Sequence, residues 1–125
     1  MLKDLRSLDY VVLLCEHMDE MQRFYHSVLG LPIHRSLDGW VELEIGSVLL
    51  TLRPRDRPYD GPAMRGSAGV QLAFRVEPEE VDSCYAELVE QQIEILDPPR
   101  SQDYGHRTLF FRDPEGNVLE IYADI

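Results

Sequence analysis

Cysteine and positive charge are both scarce in this chain, and each scarcity excludes something. The two cysteines, Cys15 and Cys84, are too few for the disulfide framework of a small secreted domain. Both fall inside apolar segments and read as buried thiols. Lys and Arg number 12 against 23 Asp and Glu, a formal net charge of −11. A surface of that sign repels phosphate backbones, so nucleic acid is not an expected partner. It suits solubility, and it suits a cationic ligand. No apolar run reaches the length of a membrane span, so no membrane partner is expected. The stretch Met1-Leu2-Lys3-Asp4-Leu5-Arg6 has no apolar signal region, and the expected location is the cytoplasm. Catalytic signatures are missing as well: no phosphate-binding glycine loop, no Gly-x-Ser-x-Gly elbow and no Cys-x-x-Cys pair occurs.

What is present alternates between strand and helix signals. Leu8 to Cys15 has the composition of a buried strand. After the polar break Glu16 to Glu20, Asp19 is the expected helix N-cap. Met21, Phe24, Tyr25, Val28 and Leu29 follow at helical spacing, and Gly30 with Pro32 ends the helix. Ile33 to Leu37 is an expected strand, Asp38-Gly39 a hairpin turn, and Trp40 to Ile45 alternates cleanly. Its two faces carry Val41, Leu43 and Ile45 on one side and Trp40, Glu42 and Glu44 on the other. Gly46-Ser47 turns the chain into Val48 to Leu52. Residues Arg53 to Ala68, rich in Pro, Gly and Arg, read as an irregular linker.

The second half repeats this order. Gly69 to Val76 is a strand, Pro78 suits the first turn of a helix, and Val81, Cys84, Tyr85, Leu88 and Val89 give that helix its apolar stripe. Ile93 to Leu96 is an expected strand and Asp97 to Asp103 a loop. Two strands then flank the turn Asp113-Pro114-Glu115-Gly116-Asn117, where Pro presets one dihedral and Gly and Asn tolerate a positive one. Tyr10-Val11-Val12-Leu13 lies over Gln71-Leu72-Ala73-Phe74, and Val48-Leu49-Leu50 is laid over Val118-Leu119-Glu120. The reading is an α+β fold, two βαβββ modules whose sheets curve around a shared cavity. Module one covers about residues 6–53, the linker 54–68 and module two 69–125, within one domain.

The chain resembles the vicinal oxygen chelate superfamily, which contains glyoxalase I, extradiol dioxygenases, fosfomycin resistance proteins and bleomycin-binding proteins. The resemblance rests on Leu8 to Leu13, on Phe24-Tyr25-His26-Ser27-Val28-Leu29-Gly30-Leu31, on Val70 to Val76, and on Phe111 to Glu120 with its Asp-Pro-Glu-Gly-Asn turn. These motifs are specific for the fold and weak for function.

The resemblance implies a site on the first and last strands of each module, where the family's metal enzymes place His and Glu. The corresponding positions here are Tyr10, Leu50, Gln71 and Glu120. Only Glu120 keeps the usual donor; Leu50 cannot coordinate, Gln71 is a weak neutral donor, and a tyrosine must first lose a proton with an ordinary pKa near ~10. No metal ligand set is therefore expected, and no cofactor; the alternative is a divalent Zn, Ni, Mn or Fe centre. Tyr10, Trp40, Leu50, Gln71, Arg75, His106, Glu120 and Tyr122 are the candidate ligand-binding residues, with Trp40 and Tyr122 as flat surfaces for an aromatic or cationic group. Arg75 and Arg112 are placed to pair with Glu120 or with an anionic ligand. The function this implies is metal-independent binding of a small molecule, such as sequestration of a drug or natural product, by a homodimer. The alternative is an enzyme of the superfamily, metal-dependent or a metal-free isomerase with Glu120 as general base.

Overall fold

The computed structural model describes residues 1–63 and 67–125. The chain divides into two compact units, Met1–Ala63 and Met64–Ile125.

In the first unit, β1 (Tyr10–Cys15) leads into helix α1 (Met18–Gln22), which continues as a π-helical segment, Arg23–Val28. Strands β2 (Ile33–Leu37), β3 (Trp40–Ile45) and β4 (Val48–Pro54) follow. The four strands form one sheet in the order β1-β4-β3-β2, with β1 parallel to β4 and the other pairs antiparallel. Leu13, Cys15, Val41, Leu43, Leu50 and Leu52 are all buried on one face of this sheet. Met21, Phe24 and Tyr25 of the helix are buried with them. Removing that much apolar surface from water is the main favourable contribution to this layer.

The second unit has the same plan. Strand β5 (Gln71–Arg75) precedes helix α2 (Glu80–Glu90), then come β6 (Ile95–Ser101), β7 (His106–Arg112) and β8 (Val118–Asp124). The order is β5-β8-β7-β6, with β5 parallel to β8. Leu109, Phe111, Leu119, Ile121 and Ala123 make the buried face, and Val81 and Leu88 of α2 are buried as well. Arg107 ties this helix to β7 by a bidentate pair with Asp82, at 2.9 and 2.8 Å. Cys84 lies on α2, partly buried; burial first, then Glu87 and Glu80, push its thiol up, away from the reactive thiolate.

The duplicated α+β architecture is as the sequence reading has it. Several boundaries differ. The first strand begins at Tyr10, not Leu8. Helix α1 starts at Met18 with His17 as its N-cap, because the Met21 N–H already closes on the His17 carbonyl. Asp19 therefore sits inside the first turn, where a carboxylate still favours the helix dipole. Pro78 lies in the turn before α2, which begins at Glu80.

The expected loop over Asp97 to Asp103 is largely strand: β6 runs through Pro98 and Pro99 to Ser101. It does so because β6 is the edge strand of its sheet, where a missing N–H costs no ladder bond, and because the register slips between Asp97 and Arg100. The expected linker is shorter at its start, since β4 continues to Pro54. Its residues 64–66 lie outside the described residues.

The part of that segment before Ala63 is tied down by charge. Arg53 holds Asp60 through two bonds, 2.8 and 2.7 Å long, and both side chains are buried. Asp60 also accepts the N–H groups of Asp56 and Arg57. The Arg53 bond, more than the opposing cost of burial, holds the Asp60 carboxyl well below the usual carboxylate range. The same partner raises Arg53.

The last turn is built by Asp113. Its Oδ1 accepts the N–H of Glu115 and of Asn117, and its Oδ2 accepts the Asn117 amide. Gly116 has φ +93°, a conformation that side-chain-bearing residues rarely adopt, so glycine belongs there.

Candidate functional site

Each sheet has a second face, opposite its helix, and the strand register says which residues share it. In a strand successive side chains alternate sides, while residues level with one another on neighbouring strands share a side. In the first unit Tyr10 is level with Leu49, and Val12 with Thr51. Glu42 is level with Thr51, and Glu44 with Leu49. The open face therefore carries Tyr10, Trp40, Glu42, Glu44, Leu49 and Thr51.

Leu50 is not on it. It is level with Val11 and Leu43, is 3% exposed, and belongs to the helix side. Its assignment as a ligand-binding residue is therefore corrected. In the second unit Gln71 is level with Val118, and Ala73 with Glu120. Aligning the two registers puts Thr51, one residue beyond Leu50, at the position of Glu120. The direct overlay of Val48-Leu49-Leu50 on Val118-Leu119-Glu120 is off by one residue, and in a strand that inverts the face.

Two groups of side chains on the first open face are tied together. Tyr10 meets Trp40 edge to face, with ring centroids 6.2 Å apart and planes at 82°. Trp40 donates its Nε1–H to Glu42 at 2.9 Å. His34 Nδ1 lies 3.0 Å from Glu44 Oε1. Tyr10 is 49% exposed, so this corner is open to solvent.

In the second unit Gln71, Arg75, Glu120 and Tyr122 share the open face, as do His106 and Asp124, which are level with each other. The Gln71 amide is 3.5 Å from Glu120, a weak contact. Asp124 is the hub. Its Oδ2 takes Arg75 at 2.8 Å, and its Oδ1 lies 3.2 Å from His106 Nε2. The His106 ring stacks on Tyr122, with centroids 4.7 Å apart and planes at 29°, and meets Tyr104 edge to face at 5.3 Å.

The sequence reading pairs Arg75 and Arg112 with Glu120 or with an anionic ligand. The structure pairs Arg75 with Asp124, and Arg112 with Glu94 and the Gly116 carbonyl. Asp124, Tyr104 and Thr51 were missed. Asp124 continues the two-residue period of Glu120 and Tyr122 and could have been found by counting on. Thr51 needed the register.

The donor set does not suit the divalent metal that the superfamily's enzymes employ. The positions in question hold a phenol, a buried hydroxyl, a carboxamide and one carboxylate: Tyr10, Thr51, Gln71 and Glu120. A tight site needs imidazole, thiolate or several carboxylates. Among the described residues, no three His, Cys, Asp or Glu side chains gather as a metal-holding group.

Residues 7–121 match the family model of the glyoxalase/bleomycin resistance protein/dioxygenase superfamily. The chain belongs to that superfamily. Its relatives within the superfamily include the glyoxalase domain-containing protein RDO1 of Mycosarcoma maydis, 28% identical over 119 residues that cover 93% of this chain and 67% of that protein. Another is the metallothiol transferase FosB of Lysinibacillus sphaericus, 20% identical over 94% of this chain and 82% of its own length. Among solved structures, a glyoxalase/bleomycin resistance protein/dioxygenase from Nocardioides superposes with a TM-score of 0.83 at 22% identity, covering 98% of this chain and 85% of the other. That likeness shows the superfamily's fold. Among the described residues no helix is long and apolar enough to cross a membrane.

Proposed function

We propose that this chain is a metal-independent small-molecule-binding protein of the glyoxalase/bleomycin-resistance type, which sequesters a drug or natural product and works as a cytoplasmic homodimer. One observation carries the reading: of the four register positions where the superfamily's enzymes hold metal, only Glu120 offers a strong donor, and Tyr10, Thr51 and Gln71 do not. What these faces offer instead is hydrogen-bonding groups beside flat rings, Glu42 beside Trp40 and His106 beside Tyr122. That combination orients a polar group against apolar surface, which is what small-ligand sites require. Tyr10, Trp40, Gln71, Arg75, His106, Glu120 and Tyr122 are the proposed contacts.

A thermal-shift screen of the purified chain against natural products and cationic drugs tests this. A ligand that binds the folded form raises the melting temperature with its concentration. Failure of every compound to do so argues for a protein-interaction module. Sedimentation tests the dimer; a monomer at micromolar concentration argues against it.

A second reading, an enzyme, is favoured by the metallothiol transferase relative. Its metal-free form would use Glu120 as general base. Loss of turnover in Glu120→Gln with binding retained would support it.

A further inference from the structure

Thr51 is fully buried, and among the described residues its Oγ1 has no hydrogen-bond partner. Buried hydroxyls are normally paired. Thr108 in the second unit is just as buried, and it receives the Gln102 amide at 2.9 Å. Among the described residues Thr51 has no such donor, and its acceptor lone pairs stay unused.

The strand register says what lies above it. Strand β4 runs between β1 and β3. Strands lie about 4.8 Å apart, so β1 and β3 are separated by roughly 10 Å. Tyr10 on β1 and Trp40 on β3 nevertheless meet at 6.2 Å, so their rings lean over β4 toward each other. Tyr10 is level with Leu49. Trp40 lies one residue beyond Val41, which is level with Leu52, and so stands level with Arg53. A line joining the two residues' strand positions crosses β4 midway between Leu49 and Arg53, at Thr51. Glu42 is level with Thr51 on the same face, and one of its oxygens, Oε2, takes the Trp40 indole N–H. The other carboxylate oxygen keeps acceptor capacity.

The geometry points to a subsite for a protonated primary or secondary amine beneath the Tyr10–Trp40 ring pair, its N–H groups received by the Thr51 hydroxyl and the Glu42 carboxylate. This deepens the small-molecule reading above and rests on it. The ligand must carry N–H donors, because two acceptors converge there. It must be positive, because the Glu42 carboxylate beside an aromatic ring favours a cation. The neighbouring charges do not reverse this. Arg53 is engaged by Asp60, and Glu44 by His34. Arg35 is level with Glu42 on β2 but is exposed, and among the described residues no ion pair joins them. The observed ring contact is then the closed form, and the amine enters when the exposed Tyr10 ring swings aside.

Trp40 is the only tryptophan of the chain, so its fluorescence reports on the subsite alone. The full chain is titrated with benzylammonium, with its neutral counterpart benzyl alcohol, and with benzyltrimethylammonium, which has charge but no N–H. A saturable change in Trp40 emission is expected for benzylammonium, with the other two at least severalfold weaker. Thr51→Val should weaken benzylammonium about tenfold, the loss of one hydrogen bond to a charged group. The same variant should melt no lower than the wild type, because it removes an unpaired buried hydroxyl. If it does not fold, Glu42→Gln reads the same loss. The absence of a saturable response, equal affinity for benzyl alcohol, or unchanged affinity in a folded Thr51→Val overturns the assignment. A neutral or anionic compound that moves Trp40 where benzylammonium does not overturns the amine class and leaves small-molecule binding standing. Tight metal binding would overturn metal independence alone, leaving the amine subsite to be judged by the titration.

Discussion

Thr51 on β4 and Glu120 on β8 hold the same register position in their two sheets: Val12 is level with one and Ala73 with the other. Duplication kept the position and changed its chemistry. One unit presents a partly exposed carboxylate there, and the other a buried hydroxyl.

The register can be tested by stability. Leu50→Ala should cost about 2–5 kcal/mol, since it opens a cavity on the packed helix side. Thr51→Val should be neutral or stabilising. Urea unfolding of both variants checks this, and a destabilised Thr51→Val beside an unaffected Leu50→Ala would mean that the faces are reversed.

That single-residue shift also marks where the sequence stops being readable. The Asp113-to-Asn117 turn was legible because its determinants are local: Asp113 accepts N–H groups two and four residues ahead. The order of elements was legible because hydrophobic period and turn residues announce it. The face of Leu50 was not, because a hydrophobic run of leucines reads the same in either register, and only pairing with β1 and β3 settles it. Pro98 and Pro99 concealed a strand because only topology makes β6 an edge. Arg53 looked like part of a linker because its partner, Asp60, lies across an irregular segment that shows no period. Of the candidate site, the two-residue period was enough to group Trp40 with Glu42 and Glu44, and Glu120 with Tyr122; Asp124, which organises His106 and Arg75, needed one further step of the same count.

Asp60 makes stability depend on acid in a particular way. Its folded pKa is depressed below the ordinary carboxylate value. Its contribution is therefore complete above that value and is lost as pH falls through the lower, folded one. Asp60→Asn should lower the melting temperature most at neutral pH, where it leaves Arg53 buried without its counter-charge, and least in strong acid. Melting curves from pH 7 down to pH 2 check this; a gap that widens toward low pH would contradict it.

The ordering of His106 can be followed directly. Stacking on Tyr122 shields its ring protons, so their NMR resonances should lie upfield of free imidazole. Tyr122→Leu should return them downfield. Asp124→Asn should also move them while changing stability by no more than about 1 kcal/mol, because the pairs that Asp124 makes are well exposed. Resonances unaffected by both substitutions would show that the stack does not persist in solution.

Metal affinity bears most heavily on the proposed function. Calorimetric titration of chelator-treated protein with zinc, nickel and manganese should show no tight stoichiometric uptake, and Glu120→Gln should leave the traces unchanged. Stoichiometric binding of any of these ions at sub-micromolar concentration, abolished by Glu120→Gln, would contradict metal-independent binding and return the chain to the superfamily's metal enzymes.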